Sequence, residues 1–300
     1  AALLYTMHDP KYNYLYESEP EPFMHNRTMF CPRGKMLGGS SSHNGMVHVR
    51  GNAKDFDNWG QLGLTDWTYD KILPYFKKSE SVEGLDANFR GDSGPLKLSR
   101  STNGNILSQV YLNAAQQAGY QINNDMNGEK QEGFGLMDTT IFNGKRQSTS
   151  VTYLHPIKHR SNLKILTNVS VNKILFENKK AVGVECKSNG KNKKYFSSKE
   201  VLLSAGAINS PQLLMLSGIG PEKELSKHNI EPVECLEGVG QNLQDHLETY
   251  VQYKCKKPVT LHSAQNPLKM ALIGAEWFLF KTGVAAHSNL ETGGFVKSNE

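Results

Sequence analysis

The chain has 300 residues, a formal net charge of +5 and 38% hydrophobic residues, enough for a buried core and, by the usual length prior, for two domains. So mild a charge argues against a nucleic-acid binder: the densest basic run, Lys191, Lys193 and Lys194, is interleaved with Gly190 and Asn192 and reads as a solvated hairpin. No stretch approaches the roughly 18 apolar residues of a transmembrane helix, so any membrane contact is peripheral, and Cys31, Cys186, Cys235 and Cys255 lack metal spacing and read as free thiols.

In chain order, Tyr5 to Tyr16 has the polar, aromatic character of an extended connection. Residues 33 to 51 then bring together Gly34, Gly38, Gly39, Gly45 and Gly51, with Ser40, Ser41 and Ser42 and the tetrad Asn44-Gly45-Met46-Val47. Glycines let main-chain N–H groups approach a ligand closely. The serines add hydroxyls, and Arg33 and Lys35 set positive charge where a pyrophosphate could lie. The stretch suits a cradle for a flat phosphorylated cofactor; its composition alone favours an ordinary Gly/Ser surface loop.

Thr68 to Phe76 reads as a capped amphipathic helix, and Gly84 to Ser99 as turn-rich. Ser108 to Gly119 is a second helix, with Val110, Leu112, Ala114, Ala115 and Ala118 as its small-residue face. Strands are expected over Leu163–Thr167, Val169–Phe176 and, after the turn at 177–180, Ala181–Cys186. Val201-Leu202-Leu203 reads as a buried strand breaking at Ala205-Gly206-Ala207, followed by a helix with Ser210 as N-cap, Pro211 at its first position and Gly218 or Gly220 at its end. This is the unit of dinucleotide-binding sheets, or a structural strand-turn-helix that touches no ligand. Thr249–Cys255 alternates as a new strand, and Ile273–Phe280 is helical.

The order of residues 33–59, through Asp55, Asp57, Asn58 and Trp59, resembles the first signature of the glucose-methanol-choline oxidoreductases, flavin enzymes that oxidise alcohols. Residues 204–220, Ser-Ala-Gly-Ala-Ile-Asn-Ser-Pro-Gln-Leu-Leu-Met-Leu-Ser-Gly-Ile-Gly, resemble the second. Within the family the likeness narrows to the choline-oxidising branch, through residues 125–135, 238–248, 261–265 and 287–295. The resemblance implies an α/β fold in which a Rossmann-like FAD-binding domain is interleaved with an α+β substrate domain on an antiparallel sheet. It places a linker and flavin cradle at 1–75, a helical, turn-rich segment at 76–158, FAD-domain strands and helix at 159–247, and the start of the substrate domain at 248–300.

It further implies FAD as cofactor, held by Met36, Gly38, Gly39, Ser41, His43, Asn44, Gly45, Met46 and Val47, with Val171 at the adenine end. His43 is either a covalent flavin anchor or a hydrogen-bonding histidine beside the ring. A quaternary ammonium substrate cannot donate hydrogen bonds, so aromatic faces and a carboxylate should answer it; Glu276 beside Trp277 and Phe278 is one candidate, or Glu276 is solvated while Trp277 and Phe280 face a core.

The reaction implied is oxidation of choline to betaine aldehyde, with membrane quinone as electron acceptor, or oxygen if the protein is an oxidase, at the mitochondrial inner membrane. A G-x-G-x-x-G phosphate-binding turn and a His-Pro-x-Gly-Thr segment, both expected of the family, do not occur in these residues. The chain therefore reads as an internal fragment with no catalytic residue and no metal site. The rivals are another alcohol- or sugar-oxidising member of the family and a truncated, non-catalytic relative.

Overall fold

The computed structural model describes residues 6–101 and 104–298. Its helices are α1 (Ala53–Gln61), α2 (Tyr69–Ser79), α3 (Ile106–Gln117), α4 (Gly206–Leu216), α5 (Glu222–Lys227) and α6 (Pro267–Phe280). With the antiparallel sheets they make the mixed α/β architecture expected. The chain divides into two compact units, one of residues 1–160 and 254–300, the other of 161–253.

In the first unit, α1 is started by a capping box: the Asn52 side chain accepts the Lys54 N–H at 3.0 Å while the Asp55 carboxylate accepts the Asn52 N–H at 3.2 Å. Phe56 of α1 packs against Phe76 of α2 with ring centroids 5.7 Å apart, and Trp59 meets Trp67 at 6.2 Å. Helix α2 starts after Thr68 as expected, yet its first N–H is answered by Asp57 Oδ1, at 2.9 Å, and not by Thr68. Helix α3 begins two residues before Ser108, capped by Asn105, and ends at Gly119 with φ +89°.

The buried side of α3 is Ser108, Leu112 and Ala115, spaced i, i+4, i+7, whereas Val110, Ala114 and Ala118 face outward. Ser108 turns inward because its hydroxyl donates to Glu291 Oε2 at 2.6 Å, a polar start that an apolar-stripe reading passes over. Strand pairing is short and mostly antiparallel: Val47–His48 pairs with Asp138–Thr139, which also pairs with Ser99–Arg100, and Gly133–Leu136 pairs with Thr292–Phe295. The turn-rich stretch 84–99 contains one further strand, Leu96–Lys97, parallel to Glu80–Ser81.

The second unit is built on an antiparallel meander of Val169–Glu177, Lys180–Ser188 and Lys191–Phe196. Asn178 and Lys179, at φ +48° and +64°, form the tight turn between the first two strands. Cys186 and Ile174 are buried in this unit, and the enclosed Ser217 ties sheet to helix. Its hydroxyl accepts the Ile174 N–H at 2.8 Å and donates to the Leu213 carbonyl at 2.6 Å. Gly218 follows α4 at φ +89°, where an added Cβ would also meet the Glu231 carbonyl at 2.6 Å, so only glycine fits.

Three expected strands are absent. Residues 163–167, 201–203 and 249–255 run as irregular backbone, with Leu202, Val251 and Tyr253 at 81%, 75% and 90% exposure. A strand exists through its ladder, and no described residue pairs with these segments. Helix α4 starts at Gly206, four residues before the expected N-cap, and Pro211 lies inside it. Ser210 caps from within: its hydroxyl accepts the Ala205 N–H at 3.0 Å. Among the described residues no helix is long and apolar enough to cross a membrane, and the four cysteines are unpaired.

Candidate cofactor site

Residues 34–47 fold into a closed turn in the first unit. A short 3₁₀ segment, Gly39–Ser42, follows Gly38 at φ +89°; an added Cβ there would collide with the Ser42 hydroxyl, and one on Gly34 would run into the backbone of Gly39. The serine hydroxyls close this turn on itself. Gly34 N–H donates to Ser40 Oγ at 3.1 Å, Ser41 Oγ donates to the Gly38 carbonyl at 2.6 Å, and Ser42 Oγ donates to the Leu37 carbonyl at 2.8 Å. Ser41 also accepts the Thr149 N–H at 3.0 Å. The hydroxyls thus shape the turn and are not arrayed for a ligand. Arg33 turns to the Pro32 carbonyl and Lys35 lies over the Tyr14 ring, so in this structure neither points to a shared anion site.

Asn44 and Met46 set the far side of the turn. Met46 has φ +64°, a left-handed conformation unusual for a residue with a long side chain. Asn44 Oδ1 holds it there by accepting the Met46 N–H at 3.1 Å, and the Met46 carbonyl accepts the Thr140 N–H at 2.8 Å. Met36 closes the other end, its carbonyl accepting the Gly39 N–H at 2.9 Å. Val47 is half-buried and paired with Thr139.

Arg146 underlies this turn. Its Nη1 group donates to the Ser41 carbonyl at 3.1 Å, the Asn44 carbonyl at 2.9 Å and Asn44 Oδ1 at 2.8 Å. His43, buried at 7% exposure, has Nδ1 without a hydrogen-bond partner. Burial first, and the Arg146 cation second, hold its pKa below the ordinary value of 6.5, which favours the neutral imidazole. A neutral ring with an unanswered buried nitrogen can accept from, or be bonded to, a group lying in the turn.

A buried ionic network that sequence reasoning passed over locks the segment just after the tetrad. Glu80, at 1% exposure, accepts from Arg50 Nη2 and Arg90 Nε, both at 2.7 Å, from His48 Nε2 at 3.1 Å and from the Gly91 N–H at 3.2 Å. Arg90 also reaches Asp125 and Asp138, and Arg100 Nε lies 3.5 Å from Asp138. Burial alone would raise the Glu80 pKa; hydrogen bonds from His48 and Arg90 and the two guanidinium charges outweigh it and bring it to about 2. Asn127 holds the backbone itself, accepting the Arg50 N–H at 2.7 Å and donating to the His48 carbonyl at 3.0 Å. The available signal was Asp125-Met126-Asn127-Gly128, noted for its family likeness but not linked to Arg50.

Two expected site residues belong to other elements. Val171 belongs to the second unit, on the first strand of the meander, at 40% exposure. Glu276 is on the exposed side of α6, where Thr282 Oγ1 donates to it at 3.2 Å. The Trp277 ring beside it carries the Lys281 ammonium at 4.2 Å, and its indole N–H donates to the Gly144 carbonyl at 2.7 Å; that face already holds a cation. Phe280 is 69% exposed and not part of a core.

Comparison with known proteins gives this geometry its family. The model of the GMC oxidoreductase family matches residues 12–248. The chain is 52% identical over 300 residues to "Choline dehydrogenase, mitochondrial" of Mus musculus, covering 99% of this chain and 50% of that protein. It is 48% identical over 298 residues to "Oxygen-dependent choline dehydrogenase" of Brucella melitensis, covering 99% of this chain and 54% of that protein. The chain thus spans about half the length of the curated relatives it matches. Among solved structures, formate oxidase superposes with a TM-score of 0.87 at 26% identity, over 98% of this chain and 53% of that one. An FAD-dependent oxidoreductase from Chaetomium thermophilum superposes with a TM-score of 0.83 at 30% identity, over 95% of this chain and 53% of that one. The chain belongs to the GMC oxidoreductase family.

Proposed function

We propose that the turn at 34–47 holds the isoalloxazine ring of FAD and that the protein oxidises an alcohol, choline, to betaine aldehyde. The observation that carries the choice of substrate is the 52% identity over 99% of the chain to a protein named for choline. The turn supports the choice of cofactor: a Cβ on Gly39 would meet no protein atom within 4 Å, His43 Nδ1 is buried and unanswered, and the Gly45 N–H has no acceptor among the described residues. FAD bound there supplies the two-electron acceptor for the hydrogen leaving the alcohol carbon.

In this reading the main chain of Met36, Gly38, Gly39, Ser41 and Asn44 to Val47 lines the ring, and Val171 serves the adenine end. His43 is a covalent anchor if acid precipitation leaves flavin with the protein, and a hydrogen-bonding partner if it releases flavin. Residues 1–75 and 159–247 serve the flavin domain, 76–158 connect them, and 248–300 serve the substrate domain, with Glu276 facing the ammonium group. No catalytic residue is assigned within these 300 residues. A quinone is the acceptor, and the site of action is the mitochondrial inner membrane, the organelle being the one in the mouse relative's name.

The test is protein made from the full coding sequence and purified from mitochondria. It should be yellow and should reduce a quinone analogue with choline well ahead of glucose or benzyl alcohol. Colourless protein that refuses added FAD removes the cofactor assignment. Preference for benzyl alcohol or glucose removes the substrate assignment, and stoichiometric peroxide removes the quinone.

A further inference from the structure

The Arg146 guanidinium has a particular relation to the turn, and the argument from it rests on the flavin reading above. Its Nη1 gathers three oxygens, the Ser41 and Asn44 carbonyls and Asn44 Oδ1, at 2.8–3.1 Å. Among the described residues no carboxylate lies within salt-bridge distance of it, although it is half-buried. A half-buried arginine without a counter-ion is costly to keep, and this one is used on neutral oxygens of a single turn.

The consequence follows from peptide geometry. In a trans peptide the C=O of one residue and the N–H of the next point opposite ways, and the chain has no cis bond among its described residues. With the Asn44 carbonyl drawn to Arg146, the Gly45 N–H faces away from the guanidinium. That N–H has no acceptor among the described residues, whereas the next donor, Met46 N–H, is answered by Asn44 Oδ1. Asn44 is itself held by Arg146 at both oxygens, so one side chain fixes the peptide plane and the brace that keeps Met46 left-handed. All three oxygens share the two N–H bonds of one nitrogen, Nη1, held in place by the rigid guanidinium plane; a lysine ammonium has donors enough but, on its flexible stem, lacks the plane that fixes where they point.

We propose that Arg146 is the positioning residue of the flavin-binding turn: by drawing the Ser41 and Asn44 oxygens to one side it presents the Gly45 N–H, on the other, to a carbonyl or ring-nitrogen acceptor of the isoalloxazine. It touches the turn and acts through it.

The experiment uses protein from the full coding sequence, as wild type, R146K, R146M and R146A. FAD dissociation constants are measured by flavin fluorescence quenching, the environment of the bound ring by visible circular dichroism, and apoprotein folding by thermal unfolding. R146M is expected to raise the dissociation constant by about tenfold or more, as loss of charge-assisted hydrogen bonds implies, and to change the visible dichroism. R146K should keep the charge without restoring either quantity. Millimolar guanidinium should restore R146A, where equal ammonium does not. R146M with wild-type affinity and spectrum overturns the proposal, as does complete rescue by R146K. If R146M fails to fold, the R146K constant and the guanidinium titration of R146A decide. Wild-type protein that binds no FAD refutes the flavin reading itself, a result distinct from an Arg146 variant that binds as well as wild type.

Discussion

Two glycines in the turn separate folding from binding. An added Cβ on Gly34 would strike the Gly39 backbone, whereas one on Gly39, at φ +53°, meets no protein atom within 4 Å. Gly34→Ala should therefore unfold the turn and abolish FAD binding together. Gly39→Ala should cost the apoprotein only about 1–2 kcal/mol of left-handed strain, so any larger loss of FAD affinity measures what occupies the open space. His43 adds a pH signature. Its folded pKa lies below 6.5, so the native state binds fewer protons than the unfolded one once the pH falls below that value. Its contribution to stability is complete above about 6.5 and declines below it. His43→Gln should flatten the fall of apoprotein Tm on the acid side of pH 6.5, and an unchanged slope would show that His43 titrates normally.

At the scale of elements, the Glu80 network is what holds the strand after the tetrad in register. Glu80→Gln leaves Arg50 and Arg90 buried against a neutral amide and should destabilise the apoprotein by about 3–5 kcal/mol, the range for breaking a buried pair. The wild-type carboxyl, at about 2 against an ordinary 4.5, contributes stability present above pH 4.5 and lost as the pH falls towards 2, on the order of 3 kcal/mol. Urea unfolding at pH 5 and pH 3 should show about 2 kcal/mol of that loss in wild type and none of it in the variant. The helices α2 and α3, the second half of α6 and the first two strands of the meander were legible in the sequence because periodicity and tight turns are local signals; α6 itself begins six residues before the expected Ile273, at Pro267 behind the Asn266 cap. The expected strands at 163–167, 201–203 and 249–255 failed because pairing depends on distant backbone. The network was illegible for the same reason: Arg50, Glu80, Arg90, Asp125 and Asp138 are scattered along the chain, and only folding makes them neighbours.

For the whole molecule, residue order marked the turn at 34–47, and the contacts that shape it were not legible. The glycines and the Asn44–Val47 tetrad announced where a cofactor could lie, but the inward serines and Arg146 emerged only with three-dimensional placement. If the turn is the flavin site, FAD at 100 times its dissociation constant should stabilise the folded protein by about 2.7 kcal/mol through mass action. Thermal unfolding with and without added FAD checks this, and coincident curves would contradict it.

The ionic cluster also bears on the brine in which the protein can work. Its formal charges cancel, Glu80, Asp125 and Asp138 against Arg50, Arg90 and Arg100, and the Glu80, Arg50 and Arg90 side chains are at most 3% exposed. Mobile ions screen exposed charges over about 3 Å at 1 M salt and can reach the partly exposed Arg100 and Asp125 at its rim, but have little access to the enclosed Glu80, Arg50, Arg90 and Asp138 at its centre. Molar sodium chloride should loosen surface pairs such as Lys179–Glu234 while leaving the framework beneath the cradle intact.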